Sequence, residues 1–150
     1  MKEIVYLDIC CFKRPFDDAT DERVREAEAV ATILEATAQG LFELVRSPAH
    51  DIENDRNLRE DRRLATDLWL KAATIRASAG AMSFERARSL VAVGFSSIDA
   101  LHLAFSEQSA AKWFVTTDDR LLKRARAKRD ELHVAVINPE QLRNSGRRII

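Results

Sequence analysis

The chain has 150 residues, 46% of them apolar and 32% charged, with 24 basic side chains against 24 acidic ones. Such a composition excludes a disordered or collagen-like chain, and the length fits one domain over 1–150, with a core over 3–142 and a basic C-terminal tail over 143–150. Zero formal charge counts against a protein that coats nucleic acid electrostatically, while an enzyme touching a few phosphates stays open. No apolar run reaches membrane-spanning length and Met1-Lys2-Glu3 is not the start of a signal peptide, so a cytoplasmic protein is expected.

The apolar run Ile4-Val5-Tyr6-Leu7-Asp8-Ile9-Cys10-Cys11-Phe12 predicts a buried first strand over 3–8. Adjacent Cys10 and Cys11 make no ordinary disulfide and show no zinc spacing; they read as small buried apolar residues. Residues 12–21 contain Arg14-Pro15-Phe16-Asp17-Asp18 and predict a polar loop. Val24, Ala27, Ala31 and Leu34 then recur at helical spacing, and Gly40 closes that helix. A short strand over 41–45 follows, and Ser47-Pro48 opens another helix. Leu64, Leu68, Ala72 and Ile75 extend helical periodicity toward Gly80, and Ser83 reads as the N-cap of a helix closed by Gly94.

A helix over 98–108, a strand over 112–116, a helix and a last strand over 133–137 complete the chain. The penultimate helix carries Arg120-Leu121-Leu122-Lys123-Arg124-Ala125-Arg126-Ala127-Lys128-Arg129, either a solvated surface or a phosphate contact. This order predicts a three-layer α/β/α fold around a mainly parallel sheet of four to five strands. Ligand sites in such sheets lie beyond the carboxyl ends of the strands.

Acids fall at those ends. Asp8 sits inside an apolar run, where a carboxylate must be paired, hydrogen-bonded or bound to a cation. Asp118 follows Trp113-Phe114-Val115-Thr116-Thr117, and Asp99 lies at a helix start behind Ser96-Ser97-Ile98. Capping explains Asp99 and Asp118 equally well, but no helix is predicted directly behind Asp8. Three gathered carboxylates raise one another's pKa values, and a divalent cation with a preference for oxygen, Mg²⁺ or Mn²⁺, relieves the repulsion. A fourth acid comes from Ser47-Pro48-Ala49-His50-Asp51-Ile52-Glu53-Asn54-Asp55, where spacing does not choose among Asp51, Glu53 and Asp55. His102 shares a helix side with Asp99 and reads as an acid/base candidate or, more simply, a packed histidine. His50 and His133 have no evident partners, and Arg14, Lys123, Arg124 and Arg126 are candidate phosphate contacts.

Four pieces in order resemble the PIN-domain nucleases, which include the VapC-type toxins: Val5-Tyr6-Leu7-Asp8, Ser47 through Glu53, Ile98-Asp99-Ala100-Leu101-His102-Leu103-Ala104, and Phe114-Val115-Thr116-Thr117-Asp118-Asp119-Arg120-Leu121-Leu122. The resemblance implies metal-dependent hydrolysis of RNA phosphodiester bonds. By it, Asp8, Asp99 and Asp118 ligate one or two Mg²⁺ or Mn²⁺ ions, with Thr116 beside Asp118. The family glutamate falls on Glu53, with Asp51 a competitor, and orients the nucleophile or ligates through water. Asp119 is a further candidate ligand. Where many relatives carry a small polar residue after the first acid, this chain has Ile9-Cys10-Cys11.

A small antitoxin protein and a homodimer are partners the resemblance implies; no membrane partner is expected. Trp69 with Leu70 reads as core rather than interface. The rival reading is an inert module that keeps the fold and binds RNA or protein without turnover. A phosphotransfer protein fits less well, since Asp8-Ile9-Cys10 lacks a second Asp, and no G-x-G-x-x-G supports a dinucleotide-binding fold. As a strained ligand, Asp8 is expected to be removable with no loss of stability in the metal-free protein.

Overall fold

The computed structural model describes residues 2–16 and 20–145. Asp17 and Asp18 of the expected loop, and 146–150 of the expected tail, lie outside them. Five strands alternate with helices: β1 (Glu3–Leu7), α1 (Ile9–Lys13), α2 (Asp21–Ala38), β2 (Phe42–Arg46), α3 (Pro48–Asp55), α4 (Glu60–Leu70), β3 (Ile75–Arg76), α5 (Ala81–Ala92), α6 (Ser97–Gln108), β4 (Trp113–Val115), α7 (Asp119–Ala127), β5 (Ala135–Ile137) and α8 (Pro139–Ser145). Every strand pair is parallel, in the order β3-β2-β1-β4-β5, so β1 is central. The α/β/α architecture with five strands is the one expected from the sequence.

Alternation along the strands builds two cores. Val5 and Leu7 of β1, Phe42 and Leu44 of β2 and Val115 of β4 pack on one face with Val30, Ile33 and Leu34 of α2. On the other face Tyr6, Val45 and Phe114 meet Leu90 of α5, Leu103 of α6 and Leu121 of α7. Register aligns Tyr6 with Phe114 and Leu7 with Val115, so β1 and β4 end side by side. The ladder continues one step further, with the Asp8 N–H donating to Val115 O at 2.8 Å. Among the described residues, no helix is long and apolar enough to cross a membrane.

Both expected glycine stops hold, with φ of +81° at Gly40 and +117° at Gly94. Three expectations do not. The 12–21 loop begins instead as α1, which starts directly after Asp8. Helical periodicity toward Gly80 breaks after Leu70, and Ile75 belongs to edge strand β3, whose N–H and C=O partners on β2 override the helical spacing. Leu64 and Leu68 are exposed, and of the Trp69–Leu70 pair only Leu70 is core. Ser83 lies inside α5 rather than at its cap, which is Gly80.

Candidate metal centre

Each of the three acids opens a helix. Asp8 is the N-cap of α1, its Oδ1 accepting from the Ile9 N–H at 2.9 Å. Asp118 caps α7, with Oδ1 accepting from the Arg120 and Leu121 N–H groups. Asp99 is in the first turn of α6, behind N-cap Ser96. The positive end of a helix favours a nearby carboxylate, so local folding and the gathering of acids have the same cause.

Asp8 is nearly inaccessible. Its Oδ2 accepts from the Thr116 hydroxyl at 2.8 Å. Burial raises its pKa; His102 and the Thr116 bond act in the opposite direction. Asp99 is pushed up to about 6, first by burial and then by the charge of Asp8, with Asp118 adding to it. Asp99, at the start of α6, thus senses the acids at the ends of both β1 and β4.

The tightest group is different from the expected trio. Ligand atoms of Asp8, Glu53 and His102 all lie within 4.8 Å of one another, and no other such group occurs among the described residues. Asp99 and Asp118 fall outside it; the Asp118 oxygen that caps α7 is held to that helix's backbone. Glu53, from α3, accepts from or pairs with His102 Nε2 at 2.8 Å, and His102 Nε2 lies 3.9 Å from Asp8 Oδ1. Burial raises the Glu53 pKa, but the His102 bond and charge outweigh it and hold the carboxyl below its ordinary value.

The choice among the three acids of α3 follows from their surroundings. Asp51 turns away to Arg46, with Oδ1 accepting at 2.6 Å from an Nη2 that also donates to Asp67. Asp55 is exposed. Asp119 is exposed too, and its charge is felt by Glu26 of α2, away from the group. Arg14 is occupied by Thr117 O and Glu26. His133 is exposed and joined to Glu107 only through its backbone N–H.

A buried polar chain stands behind the acids. Tyr6 OH lies 2.6 Å from both His102 Nδ1 and Ser47 Oγ. His50, expected to lack partners, has two: Nδ1 accepts from the Ser47 N–H at 3.0 Å and Nε2 donates to Leu7 O at 2.6 Å. Burial holds its pKa down at about 3, so it is a neutral imidazole of fixed tautomer. It stacks on Tyr6 with ring centroids 4.5 Å apart. Cys10 is likewise not simply apolar: its Sγ accepts from the Thr117 N–H at 3.3 Å and lies 3.2 Å from Thr116 Oγ1 and 3.5 Å from Asp8 Oδ2. Tyr6 and Ser47 were hidden in the sequence because only the fold reveals that a strand residue and an N-cap share one histidine.

No family model matches the chain, and no curated protein matches it either. The group that the fold does bring together could hold a metal ion: a buried carboxylate on Asp8, a half-buried one on Glu53 and the imidazole of His102, with the Asp99 carboxyl raised first by burial and then by the charge of Asp8.

Proposed function

We propose that this chain is a divalent-metal-dependent endoribonuclease of the PIN type, hydrolysing RNA phosphodiester bonds as the toxin of a toxin–antitoxin pair. The observation that carries the reading is the convergence of Asp8 and Glu53 on His102 within 4.8 Å, beyond the carboxyl ends of a parallel sheet, with Asp99 sensing Asp8 and Asp118. Asp8, Asp99 and Asp118 are assigned as ligands of Mg²⁺ or Mn²⁺, and Glu53 as the group that orients the attacking water. The bound ion would lower the pKa of water and offset charge on the phosphate.

The remaining work belongs to the chain. Thr116 fixes one Asp8 oxygen and the α1 backbone fixes the other, so the carboxylate is pre-aimed. His102, held from behind by Tyr6, keeps Glu53 ionised and able to accept a hydrogen bond from water. No side chain forms a covalent bond to the substrate. Water is the nucleophile and the 3′ oxygen leaves. Attack by water does not need the ribose 2′ hydroxyl, so an RNA with 2′-O-methyl groups should still be cut when Mn²⁺ is present. Cleavage confined to unmethylated RNA, with 2′,3′-cyclic phosphate ends, would overturn the mechanism.

An inert binding module is the second reading, favoured by the use of Asp8 and Asp118 oxygens as helix caps. A thermal-melt titration separates the two: a nuclease site gains stability with Mn²⁺, and an inert module does not.

A further inference from the structure

We propose that the outer face of α7 is the track along which the phosphate backbone of the substrate RNA leaves the acid cluster, an inference that rests on the nuclease reading above. Leu121 and Ala125 bury one side of this helix. On another side Arg120, Lys123, Arg124 and Lys128 line an open groove of about 390 Å³. Their spacing is that of neighbouring positions on one helical face. Arg126 turns elsewhere, beside Arg129. The helix begins at Asp118, so Lys128 lies about 15 Å from the acid end at the helical rise per residue. That span covers several consecutive phosphates.

Three observations set this face apart. First, many other surface cations are matched to acids: Arg46 to Asp51 and Asp67, Arg86 to Glu107, Arg25 to Glu140, Lys112 to Glu3. Among the described residues, no ion pair involves the four cations of α7. Second, helix stability accounts for Arg124 and Lys128 at the C-terminal end but not for the whole set. Cations in the last turn complement the macrodipole, but Arg120 is in the first turn and opposes it. Third, Arg124 is seated: its guanidinium lies over Gly94, where a Cβ would come within 2.6 Å of Nη1. Gly94 is two residues before Ser96, which opens the helix that carries Asp99. The cationic face thus adjoins both elements that supply the later acids.

An acidic protein segment would also be attracted to these cations. It is disfavoured because the track ends at carboxylates, which repel further carboxylates, whereas a phosphodiester is accepted there through a divalent ion. In a chain of zero formal charge, local alignment of four cations gives backbone affinity without general nucleic-acid coating.

The test is fluorescence anisotropy of a labelled single-stranded oligoribonucleotide with the full chain in EDTA, across a KCl series, so that binding is read without turnover. Arg120→Gln/Lys123→Gln/Lys128→Gln should weaken binding by about 10-fold or more and flatten the salt slope by about 2, from roughly 0.7 per single-strand phosphate contact. The control Arg23→Gln/Arg76→Gln/Arg88→Gln removes three exposed cations elsewhere and should bind like the wild type. Should the first variant melt early, Lys123→Gln alone replaces it, with a slope change of about 0.7. Equal losses in both triple variants, an unchanged slope in the first, or binding of polyglutamate in preference to RNA would overturn the track. Cleavage is read separately: a wild type that binds RNA through α7 but never cuts it contradicts the nuclease reading and leaves the track standing.

Discussion

Glu53 and His102, 49 positions apart, meet at 2.8 Å because α3 and α6 both start at the carboxyl edge of the sheet. This contact joins the acids to the buried Tyr6–Ser47 chain. Glu53→Gln keeps a hydrogen bond to His102 and removes the charge. It should reduce RNA cleavage by about 100-fold or more and leave the metal-free melting temperature nearly unchanged. Cleavage at wild-type rate would remove Glu53 from the mechanism.

Tyr6→Phe deletes the hydroxyl between two buried polar groups. His102 Nδ1 and Ser47 Oγ each lose a partner at 2.6 Å. Urea unfolding should show a loss of about 2 kcal/mol, the usual cost of orphaning buried polar atoms. A neutral outcome would mean that water replaces the hydroxyl. Ser47→Ala, by contrast, should cost less, since Tyr6 can still donate to His102.

Much of this fold is legible in the sequence because burial and backbone geometry agree there. The β1 run is apolar on both faces and reads as a central strand, and Gly40 and Gly94 take the positive φ that helix endings require. The failures have one cause each. Ile75 continues a helical spacing from Leu64 and Leu68, but those leucines are exposed and the spacing is accidental. α1 is a single short turn with no period to detect, which is why Asp8 did not read as a cap. At the site, sequence order placed Asp8, Asp99 and Asp118 at one edge but could not set side-chain directions. His102 therefore stood outside the expected ligand set, although it is in the tightest group.

Asp99 makes its own contribution to the pH dependence of the metal-free protein. Its pKa in the fold is about 6, against an ordinary 3.8. The native state therefore holds this proton more tightly than the unfolded chain, and stability falls as pH rises through that window. Asp99→Asn removes the penalty and should stabilise the metal-free protein at neutral pH by about 1 kcal/mol, after allowance for solvent screening. Saturating Mn²⁺ should stabilise the wild type more than Asp99→Asn at pH 7.5 and so remove the variant's advantage. Melting curves at pH 4.5 and 7.5, with and without the ion, check both. Because His50, held down at about 3, favours the neutral-pH fold over the same window, the comparison with the variant isolates Asp99: an Asp99→Asn protein no more stable than the wild type at pH 7.5 would contradict the strained-carboxylate account.

Asp8 has two structural bonds, to the Ile9 N–H and the Thr116 hydroxyl, so it is not the purely strained ligand that the sequence suggested. Asp8→Ala should destabilise the metal-free fold by about 1 kcal/mol through the lost cap. Asp8→Asn retains a capping oxygen and should melt close to the wild type.

That difference makes Asp8→Asn the sharpest probe of the centre, because it separates chemistry from folding. The decisive measurement is cleavage of RNA by EDTA-stripped protein, with Mn²⁺ restored, beside folded Asp8→Asn under the same conditions. The expected result is cutting by the wild type only when Mn²⁺ is present, and none by the variant. Cutting by the stripped protein, or undiminished cutting by Asp8→Asn, would contradict a metal-dependent site at Asp8.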